Sequence, residues 1–147
     1  MSSPETIFTS AFRWDLQSYL WDKTETAGGT VTHLPNEASA SLDVTTASGD
    51  QAQLRTREYF RYQPGHSQLV FMTFVMDAAQ TNLDQRVGQF DDNNGVFLEQ
   101  TDSTIQFVRR TSTSGSPVDN TVAKASWNLD ALDGGGASGI TLDLTKA

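Results

Sequence analysis

The chain has no cysteine, so neither a disulfide framework nor a thiolate metal site is available to it. Basic residues are scarce. Ten Lys and Arg face eighteen Asp and Glu, for a formal net charge of −8. A field of that sign repels nucleic acid and anionic membrane, so neither is an expected partner. No apolar run approaches the ~20 residues of a membrane-spanning helix, and the opening "MSSPETIF" lacks the basic and apolar regions of a secretion signal. Histidine is nearly missing too. His33 and His66 each sit near a turn residue (Pro35, Gly65), and no metal-ligand or Ser/His/Asp spacing frames either one. No period of 20 to 50 residues recurs, which excludes a repeat array.

What is present is turn chemistry at strand-like intervals. Residues 1–6 read as a flexible tail and 7–147 as a single β-rich domain, since 147 residues suffice for one real core and not for two ordinary ones. Short strands are expected at 29–33 and 38–45, between a Gly pair, "PNE" and "SGD". Residues 51–62 continue as a strand ending at the "QPGHS" turn. It would put Arg55, Arg57, Tyr59 and Arg61 on one face, with Leu54, Thr56, Glu58, Phe60 and Tyr62 on the other.

Residues 68–76, "QLVFMTFVM", are apolar on both faces and read as a central strand, with Leu69, Phe71 and Val75 in the core. A helical or looped connection at 77–85 leads into a meander of "RVGQF", "VFLEQ" and "TIQFVRRT", which adds Phe97 and Phe107 to the core. "TVAKASWNLD" holds a further strand, and Ile140, Leu142 and Leu144 alternate as the onset of another. Residues 12–23 mix strand alternation (Phe12, Trp14, Leu16) with helical spacing (Leu16, Tyr19, Leu20) and stay untyped. The sum is an all-β, antiparallel β-sandwich of jelly-roll or concanavalin-like kind.

Two motifs suggest chemistry and are better read as turns. Asp91, Asp92, Asn93 and Asn94 could offer oxygen ligands. However, an EF-hand loop needs alternating ligands, a central glycine and a terminal glutamate, and here Gly95 arrives too early. Asp and Asn tolerate left-handed backbone, and Gly95 supplies it, so a hairpin turn without a structural metal is expected. "GGGASG" at 134–139 matches G-x-G-x-x-G formally, but a strand-like "ITLDLTK" follows where a dinucleotide site needs a helix. No cofactor is expected. Catalysis is not expected either, because no residues frame a nucleophile or base. Paired carboxylates assembled in three dimensions would be what a polysaccharide-degrading enzyme requires. Arg55, Arg57, Tyr59 and Arg61, with Arg109 and Arg110, are the candidate subunit contacts, since guanidinium groups pair bidentately with carboxylates of a neighbouring copy. The bland alternative is a solvated strand face. Trp14, Trp21 and Trp127 fit either a core or a sugar-stacking platform.

"TREYFRYQPGHSQLVFMTFVM", "QRVGQFDDNNGVFLEQ", "IQFVRRT" and "WNLDALDGGGASGITLDLTKA", with "RWDLQSYLWD" upstream, resemble a family of tailed-phage virion proteins. Its members share an R-Y-x-Y-Q-P-G-K-S-Q turn, matched by Arg61, Tyr62, Gln63, Pro64, Gly65, Ser67 and Gln68, with His66 in place of lysine. They also share a G-x-F-D-x-N-N-G-x-F-x-E hairpin, matched by Phe90, Asp91, Asn93, Asn94, Gly95, Phe97 and Glu99. The resemblance implies a β-rich virion component without known catalysis, and a longer protein of which this chain is the N-terminal part, with the sandwich completed beyond it. Partners would be other virion proteins and further copies of the chain. A trimer is the expected copy number, from the frequency of trimers among phage fibres rather than from any residue here. A carbohydrate-binding module that recognises a host glycan is the alternative.

Overall fold

The structure, a computed structural model, describes residues 6–61 and 65–146. The expected tail lies outside them but for Thr6, as do Tyr62, Gln63 and Pro64 of the expected turn. The chain is all-β and antiparallel, as expected, with eight strands among the described residues. Their one helical feature is a 3-10 turn at Lys124–Ser126. Contacts group the chain into two compact units, residues 1–66 and 67–147.

In the first unit, β1 (Trp21–Thr26) pairs with β4 (Gln51–Thr56), and the hairpin of β2 (Thr30–Leu34) and β3 (Ser39–Asp43) is nested between them in sequence. The β1–β2 turn is tight because Gly29 has no side chain: a Cβ there would lie 2.0 Å from the Gln51 carbonyl oxygen. Asp50 ties this turn to the β3–β4 loop, accepting from the backbone N–H of Gly28 (2.9 Å) and of Thr45 (3.0 Å). The segment before β1 folds back through aromatic contacts. Phe8 and Phe12 approach the Trp21 ring with centroids at 5.8 and 5.3 Å, and the indole N–H donates to Ser10 Oγ at 2.7 Å.

The second unit is a meander, β5 (Asp84–Phe90), β6 (Gly95–Thr101), β7 (Thr104–Thr111) and β8 (Val118–Ala123), with strand order equal to chain order. Its turns are local. The β6–β7 loop has two residues, with Asp102 in left-handed backbone at φ 49°, as such hairpins require. The β5–β6 loop, residues 91–94, is the expected hairpin connection. Asp91 Oδ1 accepts from the N–H of Asn93 and of Asn94, both at 2.7 Å.

The register sets the two faces of this sheet. Gly88, Phe97, Val108 and Thr121 align across it, as do Arg86, Glu99 and Gln106. Phe97 and Val108 are each 1% exposed. Gly88 and Gly95 leave room for the rings, since a Cβ on either would come within 2.5 or 2.3 Å of the facing phenylalanine Cα. Phe90 and Phe97 then meet with centroids 4.4 Å apart.

Several expectations fail, where the expected ladder does not form among the described residues or through register. Residues 68–76 are extended and belong to no ladder among the described residues. Leu69, Phe71 and Val75 are 76%, 87% and 54% exposed and are not core. A two-sided apolar run becomes a central strand only when neighbours flank it, and the four meander strands satisfy one another through short loops that cost little closure entropy. Phe97 is core but Phe107 is not, at 48% exposure. Phe97 faces Val108, so the odd-numbered β7 position points to the other face. The strand expected over 51–62 stops at Thr56, because its partner strand begins at Trp21. Arg57 N–H turns instead to the Leu20 carbonyl at 2.8 Å. The C-terminal strand reduces to one bridge, Asp133 to Thr141. Asp143 bends the chain beyond it by accepting from Thr145 N–H (3.0 Å) and pairing with Lys146 (2.8 Å).

The sidedness of the meander predicts unequal losses. Phe97→Ala should cost about 3–5 kcal/mol in urea unfolding, in the range for a deleted core aromatic. Phe107→Ala should cost clearly less, and equal losses would contradict the register.

Candidate interaction surfaces

One face of the β5–β8 sheet is a lattice of charge built around an aromatic ring. Glu99 is 7% exposed, and burying a carboxylate is costly unless its oxygens are paired. Both are. Arg86 Nε donates to Oε1 and Gln106 Nε2 to Oε2, each at 2.6 Å. Arg86 also reaches Asp84 at 3.2 Å. One strand pair away, Arg110 grips Asp119 bidentately, Nε to Oδ1 and Nη2 to Oδ2, both at 2.8 Å. The two guanidinium groups lie 5.9 and 5.4 Å from the Phe97 centroid, within cation–π range. Each arginine therefore neutralises an acid and roofs the ring.

The hydrogen bonds from Arg110 hold the Asp119 carboxyl below the usual aspartate range, helped by the charges of Arg110 and Arg86 and opposed by partial burial. Asp119 raises Arg110 in return. A general acid needs the opposite shift, so this pair suits folding and binding rather than proton donation.

The predicted contact residues do not form one stripe. Arg55 lies on β4 across from Asp22 and is exposed. Arg57, past the strand end, sits 3.6 Å from Asp22 Oδ1 in an exposed pair. Tyr59 and Arg61 are exposed and lie beyond the ladder that was to align them. Arg109 and Arg110 point to opposite faces of β7, and Arg110 is the one drawn into the lattice. Arg86, Glu99 and Asp119 are absent from the sequence-level candidates. Their signal was the pairing register, which two short loops fix and single-strand patterns do not display.

The motif-like loops are organised by the chain's own carboxylates. Beside "GGGASG", Asp130 accepts from Leu132 N–H (2.7 Å) and, within the loop, from Ser138 N–H (2.8 Å), and a Cβ on Gly136 would fall 2.1 Å from Asp130 Oδ1. These contacts hold Asp130 below the usual aspartate range. His33 Nε2 pairs with the Phe12 carbonyl at 2.7 Å. Among the described residues no group of three His, Asp or Glu is placed to hold a metal ion. A cavity of about 160 Å³ lies between Leu16, Trp21, Leu54 and Arg57, below the ~300 Å³ where ligand pockets usually begin.

Apolar surface is the other prominent feature. The second face of the meander exposes Val96, Phe107, Val118 and Val122, with Trp127 against Phe107 at 5.0 Å between centroids. The extended segment 68–76 adds Leu69 and Phe71. In the first unit Trp14 is 81% exposed beneath Arg13.

No family model, curated protein or solved structure matches the chain.

Two outcomes follow from the carboxylates. Folding lowers the Asp119 pKa, so its pairing contributes fully above the unfolded aspartate value of about 3.9 and fades as pH falls below it. The urea-midpoint gap between wild type and Asp119→Asn should therefore be flat near neutrality and close below about pH 4; a gap that widens on acidification would contradict the pairing. Asp91→Ala should cost about 1 kcal/mol by removing the acceptor of two backbone N–H groups. Calcium should leave the melting temperature of both proteins unchanged, and a rise that chelator reverses in wild type alone would restore the metal reading.

Proposed function

We propose that the chain is a structural component of a tailed-phage particle, acting by protein–protein assembly with further copies of itself and with other virion proteins. The virion is its place of work, as a capsid-attached, neck or tail-appendage part. Leu69 and Phe71 carry the reading: two large apolar side chains, more than three-quarters exposed, on an extended segment outside every ladder among the described residues. Contiguous apolar exposure of this kind marks interaction sites. The resemblance to phage virion proteins supplies the particle. Its hairpin motif includes Phe90, Gly95, Phe97 and Glu99, all four of which build the charged, aromatic face.

A second reading has one observation in its favour. Trp14 is exposed enough to stack on a sugar ring, which suits a module that binds a host glycan. Mass spectrometry of gradient-purified particles should find the chain in many copies. A chain present in infected-cell extract and missing from particles would overturn the assembly reading. Glycan binding that Trp14→Ala abolishes, by a chain absent from particles, would establish the second reading in its place.

A further inference from the structure

Both faces of the β5–β8 sheet carry arginine, and one of these guanidinium groups finds no acid among the described residues. On the face away from the charged lattice the four strands place a single charged residue, Arg109. Arg86 and Arg110, on the other face, are each taken up by an acid of the chain, whereas Arg109 enters none of the described ion pairs. Its surroundings are apolar. Val96 lies directly across on β6 and Asn120 on β8, with Phe107 two residues back along β7 and Val118 and Val122 diagonal on β8. Such neighbours lie within about 8 Å, so they flank the Arg109 stem on all sides. Phe107 and the three valines are each about half exposed, and Trp127 backs the Phe107 ring at 5.0 Å. On the β5 side Gln89 is tied to Gln68, and Gln85 and Gln100 to the Asp77 carbonyl. The open part of the face is therefore centred on β7 and β8.

We infer that this face docks a protein segment carrying a carboxylate among apolar side chains, and that Arg109 selects it. Aromatic residues and arginine, without lysine or acids, are the composition of an interface core. A central arginine ringed by apolar groups is the usual form of a hot spot. In the single copy the guanidinium stays in water at no cost. A partner that covers it must replace that hydration, and a carboxylate gripped bidentately does so best, with the Asn120 amide beside it. A neutral apolar surface would instead bury an unpaired charge. So would a second copy presenting the same face, because the strands place no acid there. The contact is therefore heterologous and not a two-fold pairing of this sheet with itself. Arg109 thus rejects the apolar partners that its half-exposed neighbours would otherwise attract. The inference rests on the assembly reading and names the chemistry of one partner.

The test sets an Arg109 variant against wild type in the same infection and measures their ratio in gradient-purified particles by mass spectrometry. Arg109→Met keeps the apolar stem and removes the charge. Its circular dichroism and urea midpoint should match wild type, since Arg109 is exposed in the single copy. Its share in particles should fall by at least about tenfold, because the partner's carboxylate is left covered and unpaired. Arg109→Lys should recover part of the loss. A photoreactive benzophenone side chain in place of Phe107 should link, within the particle, to a segment with Asp or Glu beside apolar residues. Arg109→Met at the wild-type share overturns the inference and leaves the assembly reading intact. Binding of a uronic-acid polymer that the same variant loses would then give the face to an acidic glycan. A link from Phe107 to this same face of another copy also overturns the inference. A wild-type chain missing from particles removes the assembly reading itself.

Discussion

The second unit depends on a ring held under two cations. Phe97 packs against the Phe90 ring, with centroids 4.4 Å apart, and is 1% exposed. Its roof is the pair of guanidinium groups from Arg86 and Arg110, and each of these is kept in place by a carboxylate. Arginine suits the task because its weakly hydrated plane can cover an aromatic ring while its edge still makes hydrogen bonds. The components are mutually dependent. Without Glu99, Arg86 would lose its strongest anchor; without the arginines, Glu99 would be a buried charge lacking its cationic partner, which is far worse than no charge at all.

This arrangement also explains why a four-stranded meander can bury side chains on a charged face. The lattice supplies cover that a second apolar layer would otherwise provide. On the opposite face Gln85, Gln89 and Gln100 bond to Asp77 and Gln68 beside β5 and β6, while Val96, Phe107, Val118 and Val122 stay partly open.

Strand positions and turns were largely legible in the sequence because they rest on local signals. Asp91 to Gly95, the Asp102 turn and the β-branched runs between them each act over a few residues. Two-sided apolar character in residues 68–76 misled because burial depends on what flanks a strand, and flanking is a property of topology. Phe107 misled for a related reason: its face is set by the count of residues in the β6–β7 loop, not by its hydrophobicity. Arg110 was expected to pair with a carboxylate of a neighbouring copy, and within the chain it pairs bidentately with Asp119 on the adjacent strand. The glycine-rich and Asp/Asn loops show the same logic. Their backbone N–H groups point inward at the chain's own carboxylates, Ser138 at Asp130 and Asn93 at Asp91.

The nesting of the β2–β3 hairpin between β1 and β4 has a consequence for how the first unit forms. Joining β1 to β4 in an open chain means closing a loop that contains everything between them. Once Thr30 to Leu34 has zipped onto Ser39 to Asp43, most of that loop is already drawn together, and the remaining closure entropy falls. Loop-closure entropy thus favours forming the inner hairpin before the outer ladder. Asp50, which reaches across to Gly28 and Thr45, acts as the clasp that completes the outer ladder at the end next to the hairpin.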